Sequence, residues 1–227
     1  MRRINYLFIF VLLLGISTNA YSQNTTPKKV TTTPRSYAAT LKVSTLGFGL
    51  EGVTNVAQDL NVRVGGHFFN YTHNGGGSST DDYKYDAQAK LLSFSALADY
   101  YIGGSIFRVT GGLLVNLNKV DITMIPNKSY TINGQVYNPS DIGQVTATTD
   151  FVKAAPYLGL GLFNPLSASK VGFTMDIGGV YQSAPNVTMT ATKLLTPTAS
   201  QEDVVEKNLD WFKFYPVVTF GLTYKFN

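Results

Sequence analysis

The closing stretch FKFYPVVTFGLTYKF (residues 212–226) alternates apolar with polar or small side chains, and it decides the fold. Neighbouring residues of a β-strand point to opposite faces, so this segment has one apolar and one polar face. A strand of this length with an apolar face bounded by aromatic side chains is typical of membrane-spanning β-barrels. The apolar face comprises Phe212, Phe214, Val218, Phe220, Leu222, Tyr224 and Phe226.

The same alternation recurs in segments of about ten residues along the chain, as transmembrane barrels require. A water-soluble sandwich also alternates, but here aromatic residues bound the apolar faces and glycine is frequent on the polar faces. Residues 38–53 supply a first hairpin with a tight turn near Thr45–Gly47. We therefore predict an all-β fold, an eight-stranded antiparallel transmembrane β-barrel with both ends in the periplasm. The further predicted strands are 60–71, 92–101, 107–118, 152–162, 171–182 and 212–226.

The N-terminus has the three parts of a secretory signal peptide: Arg2 and Arg3, an apolar run, and small residues. Cleavage after Ala20 or Ser22 fits equally well, and the alternative, an uncleaved anchor, would need a longer apolar run. We predict a signal peptide over 1–22, a flexible extension over 23–37 and the barrel over 38–227. A cleaved signal implies export, and the predicted location is the outer membrane of a Gram-negative bacterium.

The composition excludes several classes of function. The chain has no cysteine, which removes disulfide scaffolds and thiol chemistry, and charged residues make up only 14% of it. The net charge of +4 falls to +2 once Arg2 and Arg3 are removed, so nucleic-acid binding is not indicated. We expect no enzymatic activity, cofactor or metal, because no catalytic or metal-binding spacing is present.

Long connections at one end are predicted to form extracellular loops. The alternation loses register at Leu91–Leu92 and after Asn118, which indicates strands that project beyond the membrane or, alternatively, β-bulges. Asn133–Gly134 is a strong hairpin signal, and 200–210 is predicted to form a short helix with Ser200 as N-cap. The long connections are Thr72–Asp82, Pro126–Thr146 and Ser183–Asp210.

Two resemblances narrow the class of barrel. The ending Phe220, Leu222, Tyr224, Phe226 resembles the C-terminal signal read by the barrel-assembly machinery, although Asn227 follows it. The segment APYLGLGLFNPLSASKVGFTMDIGGVYQSAPNVTMT (155–190), with TINGQVY (131–137) and the closing strand, resembles the CarO-type family of eight-stranded outer-membrane proteins, described as ornithine-uptake porins. That resemblance implies a monomeric barrel that passes or binds small basic amino acids, and it assigns no individual residue.

The charged residues on the predicted inner faces are the candidate functional residues. They could form an ion-pair network that offsets buried charge, or a constriction that sets ion selectivity, and their net charge of +2 would favour anions. We expect a narrow channel for small polar solutes such as amino acids. The alternative is a non-conducting structural or surface-binding barrel with a plugged lumen, and outer-membrane lipid is a partner in either case. The candidates are Lys42, Arg63, Arg108, Lys153 and Lys213 with Glu51, Asp99 and Asp176.

Overall fold

The computed structural model describes residues 34–78, 80–167 and 169–227. The predicted signal peptide (1–22) and most of the predicted extension (23–37) lie outside these residues. Within the described ranges, none of the helices has the length and hydropathy to cross a membrane.

The strands are β1 (Tyr37–Ser44), β2 (Gly47–Ala57), β3 (Leu60–Gly76), β4 (Tyr83–Tyr101), β5 (Phe107–Asn116), β6 (Lys119–Pro126), β7 (Tyr130–Ile132), β8 (Gln135–Tyr137), β9 (Val145–Asp150), β10 (Ala154–Leu162), β11 (Val171–Tyr181), β12 (Asn186–Ala191) and β13 (Phe214–Lys225). The helices are α1 (Pro139–Ile142) and α2 (Glu202–Asn208), with 3₁₀ segments at Ile102–Gly104, Lys193–Gln201 and Asp210–Lys213.

Eight strands close into an antiparallel ring in the order β1, β2, β3, β4, β5, β10, β11, β13. The ring closes where β1 pairs with β13, from Ala38 opposite Lys225 to Ser44 opposite Thr219. Closure leaves no unpaired strand edge within the ring, which is the condition for a β-structure in hydrocarbon. The predicted fold class, an eight-stranded antiparallel transmembrane β-barrel, is confirmed.

The two faces of the ring have opposite polarity, as the alternation predicts. The inner face carries buried polar side chains, whereas large apolar side chains on the outer face remain exposed within the chain, among them Leu158 (69%) and Phe173 (71%). A water-soluble protein rarely exposes apolar surface on this scale. The outer face therefore requires contact with lipid, and the core of the protein lies inside the ring.

Part of the sheet continues beyond the ring at one end, which we call the loop end; β1 begins and β13 ends at the opposite end. β4 changes partner there: Ser93–Tyr101 pair with β5, whereas Tyr83–Lys90 pair with β6. The upper parts of β3 and β4 together with β6, β9 and β12 form five adjacent strands, named here the loop sheet. The predicted loop at Thr72–Asp82 is therefore shorter than expected, because β3 extends to Gly76.

The polarity of the strands inverts where they leave the ring. Ala87 and Ala89 continue the inner face and lie opposite Ile122 and Val120, so the inner face becomes apolar. The outer face becomes polar, with a hydrogen bond between the hydroxyls of Thr123 and Thr146 at 3.1 Å. β3 and β4 stay in continuous register through this point. The register loss at Leu91–Leu92 therefore coincides with the point where β4 leaves the ring and changes partner, and it is not a bulge between β3 and β4.

The predicted features of the long connections have mixed outcomes. β7 and β8 form the expected hairpin, with Asn133 and Gly134 in the left-handed region at φ 53° and 80°. The expected helix exists as α2, but the prediction of Ser200 as its N-cap is wrong. Ser200 lies in the preceding 3₁₀ segment, where its hydroxyl donates to the Pro197 carbonyl at 2.8 Å.

Helix α2 covers the outer edge of the loop sheet. The amides of Val187 and Met189 on β12 donate to the carboxylates of Glu206 and Glu202 at 2.8 and 2.6 Å. Residues two apart on a strand and four apart on a helix are both separated by about 6–7 Å, so the two carboxylates match two successive edge amides. The helix thus satisfies donors that would otherwise be free to pair with another strand.

We expect the double substitution Glu202→Ala with Glu206→Ala to speed amide hydrogen exchange at Val187 and Met189 by about fivefold to tenfold. The substitution removes both acceptors, whereas Glu202→Gln with Glu206→Gln keeps an acceptor oxygen at each position and should exchange like the wild type. Hydrogen exchange measured by NMR in detergent micelles reads both amides. Unchanged exchange in the alanine variant would contradict the covering role of α2.

Candidate functional site

Six charged side chains meet in the middle of the barrel. Each lies at an inward position of its strand, and each side chain is between 0% and 4% exposed. Such burial is tolerated only when charges are paired and hydrogen-bonded. The six, called the lumenal cluster below, are Lys42 on β1, Glu51 on β2, Arg63 on β3, Asp99 on β4, Arg108 on β5 and Asp176 on β11.

Arg63 occupies the centre of the cluster and contacts all three carboxylates. Its Nη1 lies 3.1 Å from Glu51 Oε1, and its Nε lies 2.8 Å from Asp99 Oδ2. Its Nη2 lies 3.3 Å from Asp176 Oδ1. The planar guanidinium presents five donors in fixed directions, which a lysine in this position could not do.

Lys42 and Arg108 complete the cluster from opposite sides. Lys42 Nζ lies 2.8 Å from Glu51 Oε1, and Arg108 Nη2 lies 2.6 Å from Asp176 Oδ1. Three cations therefore face three carboxylates, and the formal charge of the cluster is zero. The cluster balances its charges internally and leaves no surplus charge to attract a solute ion.

Two of the eight predicted residues, Lys153 and Lys213, lie outside the lumen. Lys153 is exposed and precedes β10, which begins at Ala154. Lys213 lies in a 3₁₀ segment, with a side chain 42% exposed and 3.0 Å from Asp210. Both were assigned by extending the alternation past the strand ends, where it no longer sets the direction of a side chain. Without them the predicted interior charge of +2 becomes zero, and the expected preference for anions loses its basis.

The β10–β11 turn is tied to the lumen at the end of the barrel where β1 begins and β13 ends. Arg108 Nη1 donates to the Leu162 carbonyl at 2.9 Å and to the carbonyl of Phe163, which has a left-handed φ of 65°. Asn61 Nδ2 donates to Asn164 Oδ1 at 3.1 Å. The β10–β11 turn is therefore held against the inner side of the strands by a member of the lumenal cluster.

An apolar layer lies above the cluster towards the loop end. It is formed by buried side chains on inward positions and by the β1–β2 turn, and Leu97 and Tyr215 pack against it. The space between this layer and the cluster is about 20 Å³, enough for roughly one water molecule. The layer consists of Leu46, Leu114, Ala155, Tyr157, Val180 and Val217.

This layer could not be predicted from the alternation of polarity along the strands. Its members alternate with outward residues that are equally apolar, such as Leu113 and Leu158, so alternation of polarity gives no signal there. The direction of two members could still be read from their positions. Leu114 is an even number of residues from Arg108 on β5, and Tyr157 is an even number from Gly161 on β10, so each points to the inner face. Across the three described ranges, no group of three or more His, Asp or Glu side chains is arranged to bind a metal ion.

Solved structures with this architecture include two outer-membrane proteins of Acinetobacter baumannii. The crystal structure of CarO2 matches with a TM-score of 0.55 and 19% sequence identity, over 84% of this chain and 98% of CarO2. CarO matches with a TM-score of 0.54 and 18% identity, over 83% of this chain and 97% of CarO. No family model and no curated protein matches the sequence. The structural likeness shows the fold, which is that of the CarO-type outer-membrane barrels.

Proposed function

We propose that the protein is a non-conducting outer-membrane barrel that holds the loop sheet at the bacterial surface as a binding surface. The observation that carries this proposal is the neutral, buried lumenal cluster, covered by the apolar layer on one side and tied to the β10–β11 turn on the other. Interiors of eight-stranded barrels are commonly filled by side chains. A filled, rigid ring suits a protein whose contacts with the surroundings lie outside the membrane.

The direction of insertion follows from the connections. β1 begins and β13 ends at the same end of the ring as the β2–β3, β4–β5 and β10–β11 turns, whereas the long excursions that form the loop sheet leave from the other end. Outer-membrane barrels place their long loops outside the cell and their short turns in the periplasm. The loop end, with the loop sheet, then faces the exterior. Export by the signal peptide (1–22) and insertion by the assembly machinery through the strand ending at Phe226 are part of this proposal.

The loop sheet has the properties of a binding surface at its β3 edge. Phe69, Tyr71 and His73 form a row of near-parallel rings with centroids 6.4 and 6.2 Å apart, and Tyr85 continues the row at 6.0 Å from His73. Since β2 begins at Gly47, opposite Phe69, no strand among the described residues pairs with β3 above this level on that side. Exposed aromatic rings beside an open strand edge are a common recognition surface.

A narrow channel for small polar solutes such as amino acids is the competing function. It requires a continuous aqueous path past Arg63 and its partners and past the apolar layer. The buried ion pairs and the space of about 20 Å³ at this level favour the closed barrel instead.

The refolded chain lacking residues 1–22 is expected to give no discrete current steps in planar lipid bilayers, because paired buried charges and the apolar layer leave a space of only about 20 Å³ between them. Insertion is checked on the same sample by the heat-dependent gel mobility of folded barrels and by protection from protease. Silent bilayers with inserted, folded barrels support the proposal. Discrete openings whose reversal potential shows ion preference would overturn it in favour of the channel.

A further inference from the structure

Two lysines lie opposite each other where the outer face passes from lipid to water. Lys90 on β4 and Lys119 on β6 are register partners, and Asn70 on β3 is the partner of Lys90 on the other side. Neighbouring strands are about 4.8 Å apart, so three nitrogen-bearing side chains form one row across three strands. The row lies directly above Leu92, which is two residues below Lys90 on the same face.

The position of the row matches the surface of a membrane. Phe68 and Leu92 are register partners immediately below it and belong to the exposed apolar face of the ring. Leu117, two residues before Lys119, is also exposed. Above the row the outer face is polar. A molecule bound across this boundary would therefore place a hydrocarbon part against Phe68 and Leu92 and a polar part against Lys90.

The charges of the row indicate that the polar part is anionic. Like charges directly opposite each other on a sheet destabilise it. Among the described residues, no carboxylate forms an ion pair with Lys90, whereas Lys119 Nζ reaches Asp121 Oδ1 at 3.4 Å. Asp150 lies opposite Lys119 on β9, one strand further from Lys90. An anion between Lys90 and Lys119 would turn a repulsive pair into two attractive contacts, with an amide donor from Asn70 beside it.

We propose that Asn70, Lys90 and Lys119 bind the phosphate of a membrane lipid whose acyl chains lie against Phe68 and Leu92. The site rests on the membrane placement proposed above and is independent of whether the lumen conducts. The proposed ligand is a lipid phosphomonoester. Its acyl chains match the apolar side chains of Phe68 and Leu92, and its headgroup, with a charge of about −2, matches the two lysines. The barrel would then carry one bound lipid at a fixed position beside the loop sheet.

The test is lipid retention, measured by native mass spectrometry of the refolded protein with bisphosphorylated lipid A and with the same lipid after removal of its phosphates. Replacing Lys90 and Lys119 by glutamine is expected to weaken retention of the phosphorylated lipid at least about tenfold, since each charge-assisted contact is worth roughly this factor. The dephosphorylated lipid should bind the wild type and this variant equally weakly.

The matched control is the double substitution Lys84→Gln and Lys128→Gln, which removes the same charge further from the ring. Lys84 lies on the same face of β4, about 20 Å above Lys90 along the strand. Retention in this control should stay within about twofold of the wild type, and Lys90→Arg with Lys119→Arg should preserve it.

Equal retention by the glutamine variant and the wild type would overturn the site. Inorganic phosphate that competes as strongly as the lipid would overturn the lipid as its ligand. Because the readout is mass and not current, a failed lipid site leaves the closed barrel standing.

Discussion

Replacing Arg63 by alanine is expected to lower the free energy of unfolding by about 3–5 kcal/mol, because it leaves buried carboxylates without their common partner. Arg63 contacts Glu51, Asp99 and Asp176 within 3.3 Å, and its side chain is 2% exposed. After the substitution, two cations remain for three carboxylates that are each between 0% and 3% exposed. The loss should appear as a lower urea midpoint for unfolding in lipid vesicles, followed by gel mobility.

The controls for Arg63 are the two lysines that share its predicted role but not its position. Lys153→Ala and Lys213→Ala remove exposed cations and should change the free energy of unfolding by no more than about 0.5 kcal/mol. All three variants lose one positive charge, so a general effect of net charge would lower all three equally. An Arg63→Ala protein with the wild-type midpoint would show that the lumenal cluster does not stabilise the ring.

The ring could be predicted from the sequence because lipid places the same requirements on every one of its strands. Lipid requires an apolar outer face along the whole strand, as in Phe220, Leu222 and Tyr224, and a closed set of hydrogen bonds. Alternation with period two therefore persists over whole strands. The break at Leu91–Leu92 was informative for the same reason, since it marks the height at which β4 leaves the ring.

The loop sheet and the lumen were predicted less well, because they depend on contacts between residues far apart in the chain. β6 and β9 pair although a hairpin and a helix separate them, and β9 and β12 pair although two ring strands, β10 and β11, separate them, so nothing local specifies either pairing. Within the lumen, alternation identifies which residues point inward but not how they pair. It also fails near strand ends, which is why Lys153 and Lys213 were placed inside.

The lumenal cluster and the loop sheet are connected physically. The six members of the lumenal cluster lie on six of the eight ring strands. Their ion pairs therefore join these strands to one another across the interior. A ring braced in this way holds β3 and β4 rigid where they enter the loop sheet. In the proposed function, the aromatic row Phe69–Tyr71–His73 would then lie on a fixed support, which lowers the cost of ordering a binding surface.

Substituting Gly161 by valine is expected to destabilise the barrel by about 3–5 kcal/mol, through the buried arginine that lies over it. Glycine is frequent on the inner faces, and Gly161 shows why: a Cβ atom there would lie 2.5 Å from Arg108 Nε and 2.6 Å from its Cζ. The guanidinium would have to leave Asp176 and the β10–β11 turn, and Asp176 would lose its 2.6 Å contact. Unfolding in urea and the gel mobility of the folded form both measure the loss.

Two comparisons assign that loss to Arg108. Gly111 lies at an outward position of β5, and a Cβ there would have nothing within 4 Å, so Gly111→Val should change stability by no more than about 0.5 kcal/mol. In an Arg108→Ala background the space above Gly161 is free, and Gly161→Val should cost at least about 1 kcal/mol less than in the wild type. An equal cost in both backgrounds would mean that the valine strains the backbone of β10 instead. A lower cost beside alanine would show that Gly161 leaves the space that the buried Arg108 side chain occupies in the lumen.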